Sequence, residues 1–433
     1  MQKQVVNLGL AGFGTVGTGL ARIIQENRDW IKRRLGKELN VLKILIRDPE
    51  KKRSFIPAPE TRLTTDLEEL VHDPQVDIVV ELMGGVDTAY EVISRALREK
   101  KHVVTANKAL LAEKGNELFS LAREHQAGLY YEASVAGGIP IVQTLKESLS
   151  GDRIISLTGI LNGTANFILS EMTRKELSFE SALQAAKDLG YAEADPSLDI
   201  DGHDAAHKLV VLIRLAYGLD YPLNLLPVEG IAGINAMDIA MAGELGYRLK
   251  LIAQVRDESG NLQAGVFPAL MSREHILAKV DGPFNSILIH GNAVGQVMLY
   301  GQGAGDLPTG SAVLADIMAL ARDDAVPNNT GFLEKVLPRA DLVNTELSVC
   351  RHYFRFIAQD KPGVLAAVAG VMSEHDISIA QAVQKQELPG EGGGVPIVFL
   401  THKAGLQAVR KALKIIDGFE FVNAPAVHYC ILD

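Results

Sequence analysis

Residues 5–17 read VVNLGLAGFGTVG, a short apolar run that ends in the motif Gly-x-Gly-x-x-Gly. The run predicts a buried strand, Val5 to Ala11, and the residues after the motif predict a helix from Thr18 to Leu35. Glycines between a strand and a helix allow a tight turn and a close approach of pyrophosphate to the helix N-terminus. The Gly-Lys-Ser/Thr ending of a Walker loop is missing. The stretch therefore predicts a dinucleotide site formed by Gly12, Phe13, Gly14, Thr15, Val16 and Gly17.

The next predicted strand bears on which dinucleotide binds. It runs from Val41 to Ile46 and is followed by Arg47 and Asp48. An acidic residue at this strand end would bind the ribose diol of NAD, whereas an arginine suits the 2′-phosphate of NADP. Because Arg47 comes first, we expect NADP, and NAD stays open as the alternative. At least two of the basic residues 51–53 are expected to lie in a solvated loop.

Two further apolar runs continue the pattern of this first region. Val76 to Leu82 and His102 to Thr105 read as buried strands with a helix-like stretch between them. The alternation predicts a Rossmann-type, doubly wound parallel sheet over about residues 1–130. Ligands of such sheets bind beyond the carboxyl ends of the strands. Thr105 and the nearby Lys108 are therefore expected near the nicotinamide, although an isolated lysine is more often a surface charge.

Residues 131–304 read as a second, α+β unit for substrate binding and dimerisation. Its strand-like segments are Arg153 to Leu161, Lys250 to Arg256, Gln263 to Pro268 and Asn285 to His290. They suggest an open mixed sheet whose exposed face could bury a partner subunit, giving a homodimer or homotetramer. A glycine-rich segment, Leu299 to Gly305, could be a plain loop or could close over the cofactor. The helix after it is expected to complete the nucleotide-binding unit through about residues 305–325.

Residues 190–208 read GYAEADPSLDIDGHDAAHK, a stretch with five carboxylates in which a helical pattern starts at His203. Asp204 and Lys208 lie four residues apart on one face of that helix. Such a pair can be a helix-stabilising ion pair worth about 0.2–0.5 kcal/mol. It can also be a carboxylate that holds a proton-transferring lysine. Spacing alone favours the ion pair.

The last part of the chain reads as a small separate module. A linker with Pro and Asn residues, 326–350, is followed by a β-α-β-β-α-β order over residues 351–433. The predicted strands are Tyr353 to Ala358, Ile377 to Val383, Val395 to Thr401 and Ala426 to Ile431. Such a module could sense a ligand or serve only for oligomerisation.

Composition limits the class of protein. The formal net charge is −10 over 433 residues, which argues against nonspecific nucleic-acid binding. No apolar run has membrane-spanning length, and no signal peptide precedes the first strand, so we expect a cytoplasmic protein. The cysteines, Cys350 and Cys430, are far apart and outside any Cys-x-x-Cys motif. Their spacing argues against both a disulfide scaffold and a thiolate metal site.

Three segments resemble the homoserine dehydrogenase family. Residues 186–208 match its signature without a gap, and TANKALLA at 105–112 and LNGTANFIL at 161–169 are similar to it as well. The signature positions are Ala186, Gly190, Asp195, Pro196, Asp199, Gly202, Asp204 and Lys208. Separately, DKPGVLAAVAGVMSEHDISI at 360–379 resembles the ACT domain, a small amino-acid-sensing module.

The resemblance implies reversible hydride transfer between NADPH and L-aspartate 4-semialdehyde, giving L-homoserine. It implies that Lys208 is the acid–base group, that Lys108 acts at the same carbonyl, and that Glu193 and Asp204 hold the substrate. It also implies cofactor contacts from Gly190 and Gly305. A monovalent cation such as sodium would bind Glu132 and the backbone oxygens of Val135, Gly137 and Ile139. For the ACT domain it suggests threonine as a feedback effector.

Two other functions stay open at this point. One is a different Rossmann oxidoreductase that acts on an amino-acid aldehyde. The other is a non-catalytic sensor of NADP and an amino acid, which would bind the cofactor without turnover.

Overall fold

The computed structural model describes residues 4–51, 55–322, 328–343, 348–385 and 393–432. The N-terminal part is a parallel sheet with the strand order β3-β2-β1-β4-β5-β6. Its elements are β1 (Val5–Ala11), α1 (Thr15–Glu26), α2 (Arg28–Leu35), β2 (Glu38–Leu45), β3 (Arg62–Thr64), α3 (Leu67–Val71), β4 (Ile78–Glu81), α4 (Asp87–Arg98), β5 (His102–Thr105), α5 (Lys108–Glu124) and β6 (Leu129–Tyr130). This order is that of the Rossmann fold, so the predicted doubly wound sheet is confirmed.

Helices cover both faces of this sheet, which explains its continuous apolar strands. In β4, Ile78 and Val80 pack into the cluster formed with α1 and α2, whereas Val79 packs into the cluster on the opposite face. The carboxyl ends of β1, β4 and β5 therefore meet at one edge, beside the glycine motif.

The helix predicted over Thr18 to Leu35 is instead two helices, α1 and α2. Asn27 lies between them with φ −103° and ψ 16°, outside the helical range. The break redirects the chain so that Ile31 and Leu35 pack in the same cluster as Leu20. Of the basic residues 51–53, the second and third lie outside the described residues.

The middle of the chain adds an antiparallel sheet in the order β11-β10-β7-β8-β9. Its elements are α6 (Ile141–Gln143), β7 (Ile154–Ile160), α7 (Gly163–Lys175), α8 (Phe179–Asp188), α9 (Ser197–Ile200), α10 (His203–Tyr217), α11 (Ala236–Glu244), β8 (Tyr247–Glu258), β9 (Asn261–Ser272), β10 (Phe284–Gly291) and β11 (Gly295–Gln302). The first half of the segment predicted as a glycine-rich loop, Leu299 to Gln302, is thus part of strand β11 and not a loop.

Helix α12 (Asp306–Arg322) returns to the N-terminal sheet and packs on α1. The contact is close because glycines meet there. A Cβ on Gly19 would lie 2.3 Å from the carbonyl oxygen of Asp306, and one on Gly310 would lie 2.9 Å from the amide nitrogen of Leu20. The end of β11 is thereby held beside the glycine motif.

The C-terminal module has the predicted β-α-β-β-α-β order, with one short extra strand. Its elements are β12 (Val349–Ala358), α13 (Val364–Glu374), β13 (Ile379–Gln384), β14 (Val395–Thr401), β15 (Ala404–Gly405), α14 (Leu406–Ile416) and β16 (Val422–Leu432). Strand β16 pairs antiparallel with β12 and parallel with β9. The module's sheet therefore continues the sheet of the middle region, and the parallel pairing of β16 with β9 makes the combined sheet mixed, as predicted.

A buried ion pair fixes this junction. Arg355 of β12 donates from Nε to Oδ1 of Asp238 at 2.6 Å and from its terminal nitrogen to Oδ2 at 2.9 Å. Tyr353 Oη donates to the same Oδ1 at 3.0 Å. Asp238, on α11, is 1% exposed. The module is thus bound to the rest of the chain by a desolvated polar contact as well as by strand pairing.

The described part of the predicted linker, residues 328–343, is packed rather than extended. Asn329 accepts a hydrogen bond from the Leu129 amide at 2.9 Å, and the Asn329 carbonyl accepts one from Tyr131 Oη at 2.9 Å. Residues 326–327 and 344–347 lie outside the described residues. In the described part of the chain, no helix combines the length and apolar character needed to span a bilayer.

Candidate active site

The glycine motif forms the turn between β1 and α1. Gly12 has φ +102°, and a Cβ there would lie 2.7 Å from the Leu82 carbonyl oxygen. A Cβ on Gly17 would lie 2.7 Å from the Gly12 oxygen, whereas one on Gly14 would have nothing within 4 Å. The outer glycines thus permit close packing, and Gly14 leaves open space at the α1 N-terminus. This cradle fits a pyrophosphate, which the helix N-terminus would bind.

The other predicted residues of the motif divide between the core and the surface. Phe13 is buried in the cluster between the sheet and α1, while Thr15 is exposed in the first turn of α1. Val16 packs partly against the same cluster. Of these three, Thr15 has the side chain best placed to meet a ligand.

A polar network at the ends of β4 and β5 holds the start of α5. Glu81 accepts a hydrogen bond from Thr105 Oγ1 at 2.6 Å and another from the Met83 amide at 2.7 Å. Asn107 caps α5 by accepting from the Leu110 amide at 3.1 Å. Burial raises the pKa of Glu81, against these hydrogen bonds. The network fixes Lys108, the first residue of α5, at the carboxyl edge of the sheet.

Helix α10 contributes the second group. It begins after Gly202, which has φ +85°, and it places Asp204 and Lys208 on one face. Lys208 Nζ donates to Asp204 Oδ2 at 2.6 Å and to the Leu161 carbonyl at 2.7 Å. Lys108 Nζ lies 3.2 Å from Asp204 Oδ1. The two predicted lysines therefore share one carboxylate between the nucleotide-binding sheet and α10.

Asn162 completes the surroundings of this carboxylate. Its side-chain oxygen caps α7, while its nitrogen donates to Asp204 Oδ2 at 2.8 Å and to Asp199 Oδ1 at 2.6 Å. Two of the three aspartates of the signature, Asp199 and Asp204, are thus held by Asn162.

Asp204 and Lys208 form a buried pair, so their charges attract each other more strongly than those of an exposed ion pair. Asp204 is 7% exposed and Lys208 is 8% exposed. Burial alone would raise the pKa of Asp204, but the attraction of Lys208 and Lys108 and the hydrogen bonds from Lys208 and Asn162 bring that pKa well below its usual range. Burial raises the pKa of Asp199, and the Asp204 charge adds to that rise. The sequence left an exposed ion pair as the favoured alternative, and the burial and the second lysine argue against it.

Three other predicted residues are exposed on the surface. Glu193 is exposed in the loop between α8 and α9, and within the described residues it has no hydrogen bond or ion pair. Gly190 has φ +75° in the turn after α8. Arg47 is exposed beyond the end of β2. These positions leave all three accessible to a ligand without bringing any of them into the Asp204 cluster.

The predicted cation ligands lie in a buried turn before α6. Glu132 is 3% exposed, and its two carboxylate oxygens accept hydrogen bonds from the Val142 and Gln143 amides at 2.8 and 2.7 Å. Burial raises the pKa of Glu132 to about 7. Ala136 and Gly137 have positive φ, so the turn reverses sharply there. A buried carboxylate beside backbone oxygens is the donor set that a hard cation prefers, so these residues fit one.

The loop after β11 packs on this turn. A Cβ on Gly137 would lie 2.5 Å from the Gly303 oxygen, and the Gly138 amide donates to the Gln302 carbonyl at 3.2 Å. Gly305, with φ +131°, leads into α12. The turn at residues 132–139 therefore packs on the loop at residues 303–305. That loop leads into α12, which packs on α1 beside the glycine motif.

The sequence reading did not assign Glu81, Asn162 or Asn285 to the site. Asn285 donates to the Leu161 carbonyl that also accepts from Lys208, and its Oδ1 is the buried side-chain atom without a partner among the described residues. Asn162, before a glycine and at a strand end, could have been recognised as a helix cap. The residues next to Glu81 and Asn285 in the chain form no motif that would indicate a role in the site.

Comparison with known proteins bears on this geometry. Residues 140–318 match the family model "Homoserine dehydrogenase", residues 12–132 match "Homoserine dehydrogenase, NAD binding domain", and residues 352–418 match "ACT domain". A homoserine dehydrogenase from Pseudomonas aeruginosa is 39% identical over 428 residues, covering 98% of each chain. The chain belongs to the homoserine dehydrogenase family. It is thus an NAD(P)-dependent oxidoreductase. The family excludes the alternative of a different Rossmann oxidoreductase that acts on an amino-acid aldehyde.

Solved homoserine dehydrogenases share all or most of this architecture. The one from Thiobacillus denitrificans has a TM-score of 0.92 and 38% identity, covering 100% of this chain and 99% of its own. One from Staphylococcus aureus has a TM-score of 0.78 at 34% identity and covers both chains fully. A hyperthermophilic archaeal homoserine dehydrogenase in complex with NADPH matches 75% of this chain and 100% of its own, with a TM-score of 0.62 and 31% identity.

Proposed function

We propose that this chain reduces L-aspartate 4-semialdehyde to L-homoserine with NADPH, and that Lys208 supplies the proton. The observation that carries the proposal is the pair of hydrogen bonds from Lys208 Nζ to Asp204 Oδ2 and the Leu161 carbonyl. An ammonium has three donors, so one N–H is left for a substrate oxygen. The two acceptors fix its direction.

The chemistry divides between the cofactor and this chain. NADPH, when bound, supplies the hydride that adds to the aldehyde carbon. The electron pair of the carbonyl bond moves to the oxygen, and Lys208 Nζ transfers its proton there, which gives the alcohol and a neutral amine. The reverse reaction uses the neutral lysine as the base. Asp204 stabilises the charged form of Lys208 and so keeps the proton available.

Lys108 and Glu193 are proposed to orient the substrate. Lys108 is held by Asp204 but its side chain is 40% exposed, so it can also meet the substrate carbonyl. Glu193 lies free of other bonds among the described residues and suits the substrate ammonium. Asp204 would add negative charge to the same side.

Cofactor preference is proposed to be for NADP. Arg47 extends from the end of β2, where the adenosine ribose lies in Rossmann folds. The relative bound to NADPH supports this choice. Sodium or another monovalent cation is proposed at Glu132 and the carbonyls of Val135, Gly137 and Ile139, because a buried carboxylate and carbonyl oxygens suit a hard cation. The buried Lys146 already supplies positive charge near Glu132, and a bound cation would add to it.

The ACT domain is proposed to bind threonine as a feedback effector. The turn between β12 and α13, with Asp360 and Lys361 exposed and Gly363 at φ +91°, is the accessible strand-to-helix connection of the module.

Assembly as a homodimer is proposed through the sheet face that carries Phe284 and Tyr300, whose rings stack at 5.2 Å. A cytoplasmic location remains a prediction.

The deciding experiment measures NADPH oxidation with L-aspartate 4-semialdehyde and NADPH binding on the same protein. The proposal is supported if the protein binds NADPH and oxidises it at a rate that saturates with the concentration of L-aspartate 4-semialdehyde. Cofactor binding without turnover would favour the non-catalytic sensor. Repeating the assay with threonine tests regulation, with Asp360→Ala as the variant. Substitution is preferred to truncation because removing the module would leave Asp238 buried without its arginine.

A further inference from the structure

Two cysteines and two histidines that the reaction does not use lie together at the junction of the ACT domain. Cys350 and His352 alternate along β12, and His428 and Cys430 alternate along β16. The register pairs His352 with Cys430, so all four side chains point to one face of the sheet. Strand pairing thus joins cysteines whose separation in the chain had argued against any thiolate site.

The ligand atoms of three of these residues are close enough to share an ion. One ligand atom each of Cys350, His352 and Cys430 lies within 4.8 Å of the other two. Cys350 Sγ is 3.7 Å from His352 Nδ1, and Cys430 is within hydrogen-bonding contact of Cys350, His352 and His428. Tetrahedral zinc with Zn–S of about 2.3 Å and Zn–N of about 2.0 Å requires ligand separations of roughly 3.3–3.8 Å. Small side-chain rotations would reach these distances.

The histidine at the centre has the arrangement of a metal ligand. His352 is fully buried, and its Nε2 lies 3.0 Å from the Ala404 carbonyl, which can only accept. Nε2 therefore carries the proton, and Nδ1 presents its lone pair to the cluster. A backbone carbonyl that fixes the tautomer in this way is a usual outer partner of metal-bound histidine. His428 Nε2 stands 2.9 Å from this Nδ1.

We propose that Cys350, His352, Cys430 and His428 bind one zinc-like divalent ion. Two thiolates and two imidazoles form a donor set that selects a borderline-soft, tetrahedral ion over calcium or magnesium. A cavity of about 490 Å³ reaches Cys350, His428 and Cys430 and gives the ion a route from solvent. The ion would tie β12 to β16 where β16 joins β9, so its role is to hold the ACT domain on the catalytic sheet.

A disulfide is the competing chemistry for the same thiols. Cys430 is opposite His352 and diagonal to Cys350. Diagonal neighbours have Cα atoms about 7–8 Å apart, beyond the span that a disulfide bridges without backbone movement. The register therefore favours a shared ion over a covalent bond.

The test uses the reduced, chelator-treated, full-length chain and Co²⁺ as a spectroscopic probe for Zn²⁺. We expect one Co²⁺ per chain, with thiolate-to-cobalt charge-transfer absorption and tetrahedral visible bands that Zn²⁺ abolishes. Cys350→Ser and Cys430→Ser should each weaken Co²⁺ binding by more than the 10–100-fold typical of an outer partner. His402→Gln, an exposed histidine in the same domain, should bind like the wild type.

Circular dichroism and thermal unfolding of the metal-free variants separate loss of a ligand from loss of the fold. Zn²⁺ should raise the melting temperature of the wild type and of His402→Gln, and leave that of the folded cysteine variants unchanged. Equal Co²⁺ affinity in wild type and Cys430→Ser, or no thiolate absorption in the reduced wild type, would overturn the proposal. So would a Cys350–Cys430 disulfide in a protein that binds no ion after reduction.

Discussion

Replacing Lys208 by alanine tests the proposed proton donor directly. Lys208 is 8% exposed and uses two of its three N–H groups on Asp204 and the Leu161 carbonyl, which leaves the third for the substrate. Loss of a positioned acid costs about 10²–10⁴ in rate, or about 2.7–5.4 kcal/mol of transition-state stabilisation. NADPH affinity should stay close to that of the wild type, because the glycine motif and not α10 forms the pyrophosphate cradle. Steady-state NADPH oxidation and cofactor fluorescence measure the two quantities.

The same substitution has a bounded effect on stability. Asp204 keeps Lys108 at 3.2 Å and Asn162 at 2.8 Å. Since these partners remain, and the Leu161 carbonyl keeps its hydrogen bond from Asn285, losing the two hydrogen bonds of Lys208 should reduce the unfolding free energy by about 1–3 kcal/mol. Urea denaturation monitored by fluorescence measures this change. With a change of this size we expect the Lys208→Ala protein to remain folded, so unfolding would not explain its loss of turnover.

Two further variants isolate the cause. Lys208→Arg keeps a positive charge beside Asp204, but arginine does not release its proton, so turnover should stay low. Lys175, whose side chain is 62% exposed, pairs with the buried Glu171 at the same four-residue spacing on α7, and Lys175→Ala should lower stability without loss of activity. Wild-type turnover in either Lys208 variant would refute the assignment of the proton to this side chain.

Three other changes follow from the structure. Arg47→Ala should weaken NADPH by roughly 10- to 150-fold and NADH far less, since a charged hydrogen bond to phosphate is worth about 1.5–3 kcal/mol; equal losses in fluorescence titrations would exclude the 2′-phosphate contact. Burial raises the pKa of Asp316 from 3.8 to about 8, so its contribution to stability is complete below 3.8 and is lost as the pH rises through 8. Asp316→Asn should flatten the dependence of the unfolding free energy on pH over that window, whereas Asp306→Asn, at a half-buried residue paired with Arg22, should change that dependence much less. Asp238→Ala should lower the unfolding free energy by about 3–5 kcal/mol, because the arginine of β12 stays buried unpaired, while Glu244→Ala on the same helix should cost less than about 1 kcal/mol.

Local patterns in the sequence were sufficient for the element types and the fold class. The strand, glycine motif and helix at residues 5–35 depend on backbone steric demands that neighbouring residues express, and the continuous apolar strands report burial on both faces. The break at Asn27 and the strand at Leu299 to Gln302 were not predicted. Packing of Ile31 and Leu35 against the sheet decided the first, and pairing of β11 with β10 decided the second.

The sequence alone placed Asp204 and Lys208 on one helix face, because four-residue spacing is a local property of the α-helix. It could not decide between an exposed ion pair and a buried group, since burial depends on what packs over that face. Only the tertiary structure brings Lys108 from the end of β5 to the same carboxylate. The thiols of Cys350 and Cys430 also come together only in the tertiary structure, through the pairing of β12 with β16. Contacts between distant segments determine this pairing, so the residues beside each cysteine in the chain do not predict it.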